Sequence, residues 1–120
     1  MRISLHLPDS SSEIVDTARE QVEATLARYR EAIRDVVVRV RDQNGPRGGV
    51  DQRCVVRVAL LGAPDVVVRE QRAEPLVALS SALKRARRNI GERINARGRR
   101  HTSRGQRAAR QQRSPDHFRD

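Results

Sequence analysis

The sequence predicts a two-layer α+β sandwich in the order β-α-β-β-β-α, a four-stranded sheet with both helices on one face. Three observations predict it. Four segments alternate apolar and polar residues, the period of a half-buried strand. Two longer segments carry apolar residues at steps of three and four, the period of an amphipathic helix. Between them lie breaks rich in Pro, Gly, Asn and Asp. Hydrophobic residues make up 37% of the 120 and are concentrated before residue 95, so one modest core is available there and not beyond.

The first strand covers residues 2–7, with Ile3, Leu5 and Leu7 on one side and Arg2, Ser4 and His6 on the other. Pro8 and Asp9 break it, and Ser10 with Glu13 has the spacing of a capping box. Val15, Ala18, Val22, Leu26, Tyr29 and Ile33 then form a single apolar stripe, which predicts one helix reaching Ile33. A second strand at 35–41 turns Val36, Val38 and Val40 inward and Val37, Arg39 and Arg41 outward. The segment Asp42 to Asp51, DQNGPRGGVD, reads as a loop. A third strand at 53–61 buries Cys54, Val56, Val58 and Leu60 and exposes Arg53, Val55, Arg57 and Ala59. Gly62-Ala63-Pro64 suits a hairpin into a fourth strand, with Val66 and Val68 inward and Val67 and Arg69 outward. Glu74-Pro75 suits a helix start, with Pro at the first helical position. Leu76, Leu79, Leu83, Ala86, Ile90 and Ile94 are its buried stripe, and Gly98 is the expected stop. The hairpin-linked strands should be antiparallel, and the first strand, joined by a helical crossover, should add parallel to the second. Residues 1–98 are thus expected to be one α+β domain, and residues 99–120 an Arg-rich tail disordered when unbound.

Charge divides the chain unevenly. Through residue 83, 12 arginines balance 12 acids; from 84 to 113, Lys84 and 11 arginines face Glu92 alone. That block supplies essentially the whole formal charge of +10 and calls for a polyanionic partner, of which RNA and DNA are the commonest. On the last helix the apolar stripe forces Lys84, Arg85, Arg87 and Arg88 outward, with Arg93 and Arg97 one to two turns on. Complementing the helix dipole accounts for two or three cations in a last turn, at about 0.3–1 kcal/mol each. Six along four turns with one acid instead repel one another, which makes this face an RNA- or DNA-binding surface. Outward arginines on the strands could make the open sheet face basic too. Base stacking there is not expected, because Tyr29 and Phe118 are the only aromatics and neither lies on a strand.

Other chemistry finds little support. The glycines around Arg47 do not form a phosphate-loop pattern and stand between two strands, not before a helix. His6, His101 and His117 are scattered, and Cys54 alternates with core valines as a small buried hydrophobe. A single cysteine leaves no disulfide framework and no cysteine-based zinc site. The expectation is a non-enzyme with no catalytic residues, metal, cofactor or small-molecule substrate. The apolar stretch at the N-terminus is too short for a signal peptide, and no run approaches the ~20 residues of a membrane span. A soluble cytoplasmic protein without a membrane partner is expected.

The element order, the stretch VVVRVRDQNGPRGGVDQRCVVRVAL and the closing LVALSSALKRARRNIGERI resemble the hibernation-promoting factor family, also called sigma-54 modulation protein or ribosome-associated inhibitor A. The likeness covers about residues 1–98, and Asp42 to Cys54 is its most specific part, looking like the short, single-domain branch. The resemblance implies binding to the small ribosomal subunit in the channel of mRNA and tRNA, contacts from basic residues to ribosomal RNA, and translation blocked by steric exclusion. Carried over, the contact residues are Lys84, Arg85, Arg87, Arg88 and Arg93, with Arg47 and Arg53 in the loop motif. Long family members add a domain that pairs two ribosomes. An Arg-rich tail stands here instead, so a monomer or weak dimer that does not pair ribosomes by that route is expected. Arginine also replaces much of the lysine usual in the family's helix. That keeps two further readings in play: a general double-stranded-RNA or nucleic-acid binding module without ribosome specificity, and a regulatory partner of another protein.

Overall fold

A computed structural model describes the backbone of residues 1–8, 11–44 and 50–103, and the side chains of 1–8, 11–43 and 51–96. Strand β1 (Arg2–His6) leads into helix α1 (Ser12–Leu26) and a 3-10 segment (Ala27–Ala32). Strands β2 (Ile33–Asn44), β3 (Val50–Leu60) and β4 (Val66–Arg72) follow, and helix α2 (Pro75–Ser103) closes the described chain. The sheet order is β1-β2-β3-β4. β1 pairs parallel to β2, and the other two pairings are antiparallel. This is the expected α+β sandwich, with one face of the sheet covered by both helices.

Alternation along the strands builds the core. Val36, Val38, Val40, Cys54, Val56, Val58, Leu60, Val66 and Val68 turn to the helices and are buried. Ala18, Val22 and Leu26 answer from α1, and Ala78, Leu79, Ala82, Leu83, Ala86 and Ile90 from α2. The intervening strand residues face the open side. β1 is an edge, only five residues long. Arg19 of α1 reaches across to the Ile3 carbonyl at 3.4 Å, covering part of that edge.

Several boundaries differ from the sequence expectation. The cap of α1 is Ser11, not Ser10, which lies outside the described residues. The predicted single helix to Ile33 ends at Leu26, where the backbone leaves α-helical geometry, and Ile33 opens β2. β2 and β3 run on as a long ribbon through Asp42–Gln52, Gln43–Asp51 and Asn44–Val50, so both ends of the expected ten-residue loop are strand, and residues 45–49 lie outside the described residues. Polar pairing sustains the ribbon: Gln52 is buried and its Nε2 donates to Asp42 Oδ1. β4 likewise continues to Arg72, held by cross-ladder pairs with Arg53 and Gln52. Gly62, at φ 74°, makes the turn between β3 and β4 in a region other residues enter at a cost. Pro75 does open α2, with Ala78 N–H donating to the Glu74 carbonyl. Gly98 does not stop that helix, which continues to Ser103. Residues 104–120, and with them most of the expected tail, lie outside the described residues. No helix among the described residues is long and apolar enough to cross a membrane.

Candidate nucleic-acid interface

With Leu79, Leu83, Ala86 and Ile90 locked against the sheet, the ~100° step of a helix aims Lys84, Arg87 and Arg88 outward. They do not stand on an isolated helix face. The 3-10 segment after α1 packs beside them, bringing Arg28 and Tyr29 to the same depression, which Gly91, Glu92 and Asn95 complete. Tyr29 reaches it because its own φ of −108° and ψ of 15° break the helical path. The Arg28 guanidinium carbon sits 5.7 Å from the Tyr29 ring centroid, a cation–π distance. A Cβ on Gly91 would lie 2.8 Å from the Tyr29 hydroxyl oxygen, so glycine is what lets the phenol rest on the helix. Four cations thus line one groove against a single carboxylate, Glu92. The charge of such a groove suits phosphate, and the half-buried phenol adds an apolar wall.

The other expected contact residues are held elsewhere. Arg85 Nη1 donates to Glu70 Oε2 at 2.6 Å and to the Arg69 carbonyl at 3.1 Å, tying α2 to β4. Glu70 also holds Arg72, whose Nη1 lies 2.9 Å from Oε1. Burial by itself would raise the Glu70 carboxyl, but Arg85, Arg72 and the Ser81 hydroxyl outweigh it and hold the group below the usual carboxylate range. Arg93 is not on the outward face as expected. It sits seven residues after buried Ala86, on the stripe side, and its Nη1 donates to the Pro64 carbonyl at 3.3 Å. Arg53 lies on β3, as its place in the third strand predicted, and points from the sheet face opposite the helices, away from the groove. Arg47 and the side chain of Arg97 lie outside the described residues. Cys54 is buried, its thiol pushed up to about 12 by desolvation and then by Glu70, which leaves no thiolate for chemistry.

Sequence reasoning placed Tyr29 in a buried helical stripe and passed over Arg28. One signal was available: a tyrosine hydroxyl needs a polar outlet, which a purely apolar stripe does not give.

Fold and groove together define a class, a small α+β domain that presents an arginine-rich helical groove suited to a polyanion. No family model matches the chain, and no curated protein does. Solved structures do. A ribosomal subunit interface protein from Coxiella burnetii superposes with a TM-score of 0.60 at 14% identity, over 77% of this chain and 96% of that one. The N-terminal domain of Protein Y from Thermus thermophilus gives a TM-score of 0.50 at 25% identity, over 75% and 96%. These two likenesses bear out the resemblance to the hibernation-promoting factor family.

Proposed function

We propose that this chain is a ribosome-associated hibernation factor. It binds small-subunit ribosomal RNA in the channel of mRNA and tRNA and blocks translation by occupying that space. The observation that carries this reading is the groove itself: Arg28, Lys84, Arg87 and Arg88 converge from two elements on one depression with one acid. The two solved neighbours, one of them a ribosomal subunit interface protein, support the choice of the ribosome over a bare duplex. Steric exclusion asks no chemistry of the protein. A body 52 × 30 × 15 Å between Cα extremes is large enough to exclude a strand and its paired stems.

Sedimentation through a sucrose gradient tests it. The protein should travel with small subunits and whole ribosomes at near-physiological salt and be released at high salt. Four phosphates neutralised in the groove give a slope of about −3 to −4 for log affinity against log salt. Replacing Lys84, Arg87 and Arg88 with Gln should remove co-migration while the circular dichroism spectrum stays unchanged. Equal affinity for ribosomes and for random duplex RNA would instead favour a general RNA-binding module.

A further inference from the structure

The open sheet face gathers arginines that no helix covers. Register sets Arg39 opposite Val55 and Val55 opposite Arg69; one step along, Arg41 faces Arg53 and Arg53 faces Gln71. These side chains share one face, because their chain neighbours Val38, Val40, Gln52, Cys54 and Val68 are buried on the other. Arg39, Arg41 and Arg53 are exposed and Arg69 is half-buried.

Like charges directly opposite in a ladder destabilise it, yet Arg41 and Arg53 are such a pair. The acids nearby are engaged with other groups. Asp35 lies 3.6 Å from Arg34, Asp65 takes Arg57 at 3.2 Å, and Asp51 accepts from Gln71 at 3.1 Å. Among the described residues, no ion pair neutralises Arg39, Arg41, Arg53 or Arg69. A cationic cluster held against its own repulsion is relieved when phosphates lie on it. Val55 at its centre gives the arginine stems an apolar floor. With no aromatic side chain on this face, the backbone of the nucleic acid would be bound and its bases left unread.

We propose that the open sheet face is a second RNA surface. It holds the phosphate backbone of a segment other than the one in the helical groove, through Arg39, Arg41, Arg53 and Arg69. The helices cover one face of the sheet and leave the other open, so the two surfaces lie on opposite layers of the sandwich and one chain bridges two RNA segments. The bridging rests on the groove being the first RNA surface.

A capture assay with the full chain tests this. One RNA duplex is immobilised, and a second, fluorescent duplex is offered with and without protein. The wild type should capture the second duplex. The variant R39Q/R41Q/R53Q should still bind one duplex but lose capture by about tenfold or more, in line with three lost phosphate contacts. The single variant Arg53→Glu should melt at a higher temperature, since it gains an ion pair with Arg41, and should also lose capture. Undiminished capture by either variant overturns the proposal. So does capture that rises with the square of protein concentration, the signature of two chains pairing through the sheet. Failure of the ribosome reading would show separately, as wild-type protein left at the top of the gradient.

Discussion

The absence of a side chain at Gly91 sets the shape of the groove. A methyl there would meet the Tyr29 hydroxyl at 2.8 Å and push the phenol, and Arg28 stacked on it, away from α2. The helix itself would gain up to about 1 kcal/mol from alanine in place of glycine. Because the displaced atom is the free end of a ring, Gly91→Ala should leave stability equal or higher in a urea melt while weakening ribosome binding several-fold. Unaltered binding would place Tyr29 outside the contact. Glu70 makes the second residue-level case. Its carboxyl is held low by two guanidiniums, so it contributes stability above the ordinary carboxylate pKa, and that contribution is lost as pH falls through its lower folded value. The melting temperatures of the wild type and Glu70→Gln should therefore differ at pH 7 and converge in strong acid; a constant gap would mean that the loss is one of packing. Freed from Glu70, Arg85 would turn to solvent, and the variant should also bind RNA more tightly. These two residues mark what the sequence could reveal of the site. Helical period alone aims Lys84, Arg87 and Arg88 correctly. It could not show that Arg85 folds back to a carboxylate on β4, since a long side chain can reach sideways from an outward Cα.

The elements were legible wherever one face is buried. β2, β3 and β4 alternate cleanly because the helices cover one side of the sheet, so Val36, Val56 and Val66 announce their direction unaided. The ends were less so. The β2–β3 ribbon outruns the apolar pattern, and its last rungs rest on a polar pairing of Gln52 with Asp42, a residue that reads as the start of a loop. The kink at Leu26 and Tyr29 is a backbone event inside an unbroken apolar stripe, so periodicity carried the helix past it. Gly98 reads as a stop, yet α2 passes through it. That difference has a sign. A glycine inside a helix gains up to about 1 kcal/mol on becoming alanine, whereas one at a left-handed stop loses stability. Gly98→Ala should raise helicity in circular dichroism and the melting temperature; a drop in both would restore Gly98 as the end of the helix.

Across the whole molecule the division of charge is what the fold converts into surfaces. Composition alone locates the excess after residue 83, but it cannot show that the balanced part is uneven in space, with acids tied up at Glu70, Asp65 and Asp51 and arginines left bare on the sheet. Residues 104–120 add five arginines against two acids. A cationic segment raises encounter rates with a polyanion through its long-range field, and that field is screened beyond about 8 Å at physiological ionic strength. Removing these residues should therefore slow association with ribosomes at low salt and leave the dissociation rate nearly unchanged. The rates of the full and shortened chains should then converge as salt rises. Stopped-flow association across a salt series reads this directly. If the shortened chain instead dissociates faster at every salt concentration, the segment makes fixed contacts of its own, and steering is the wrong account of its charge.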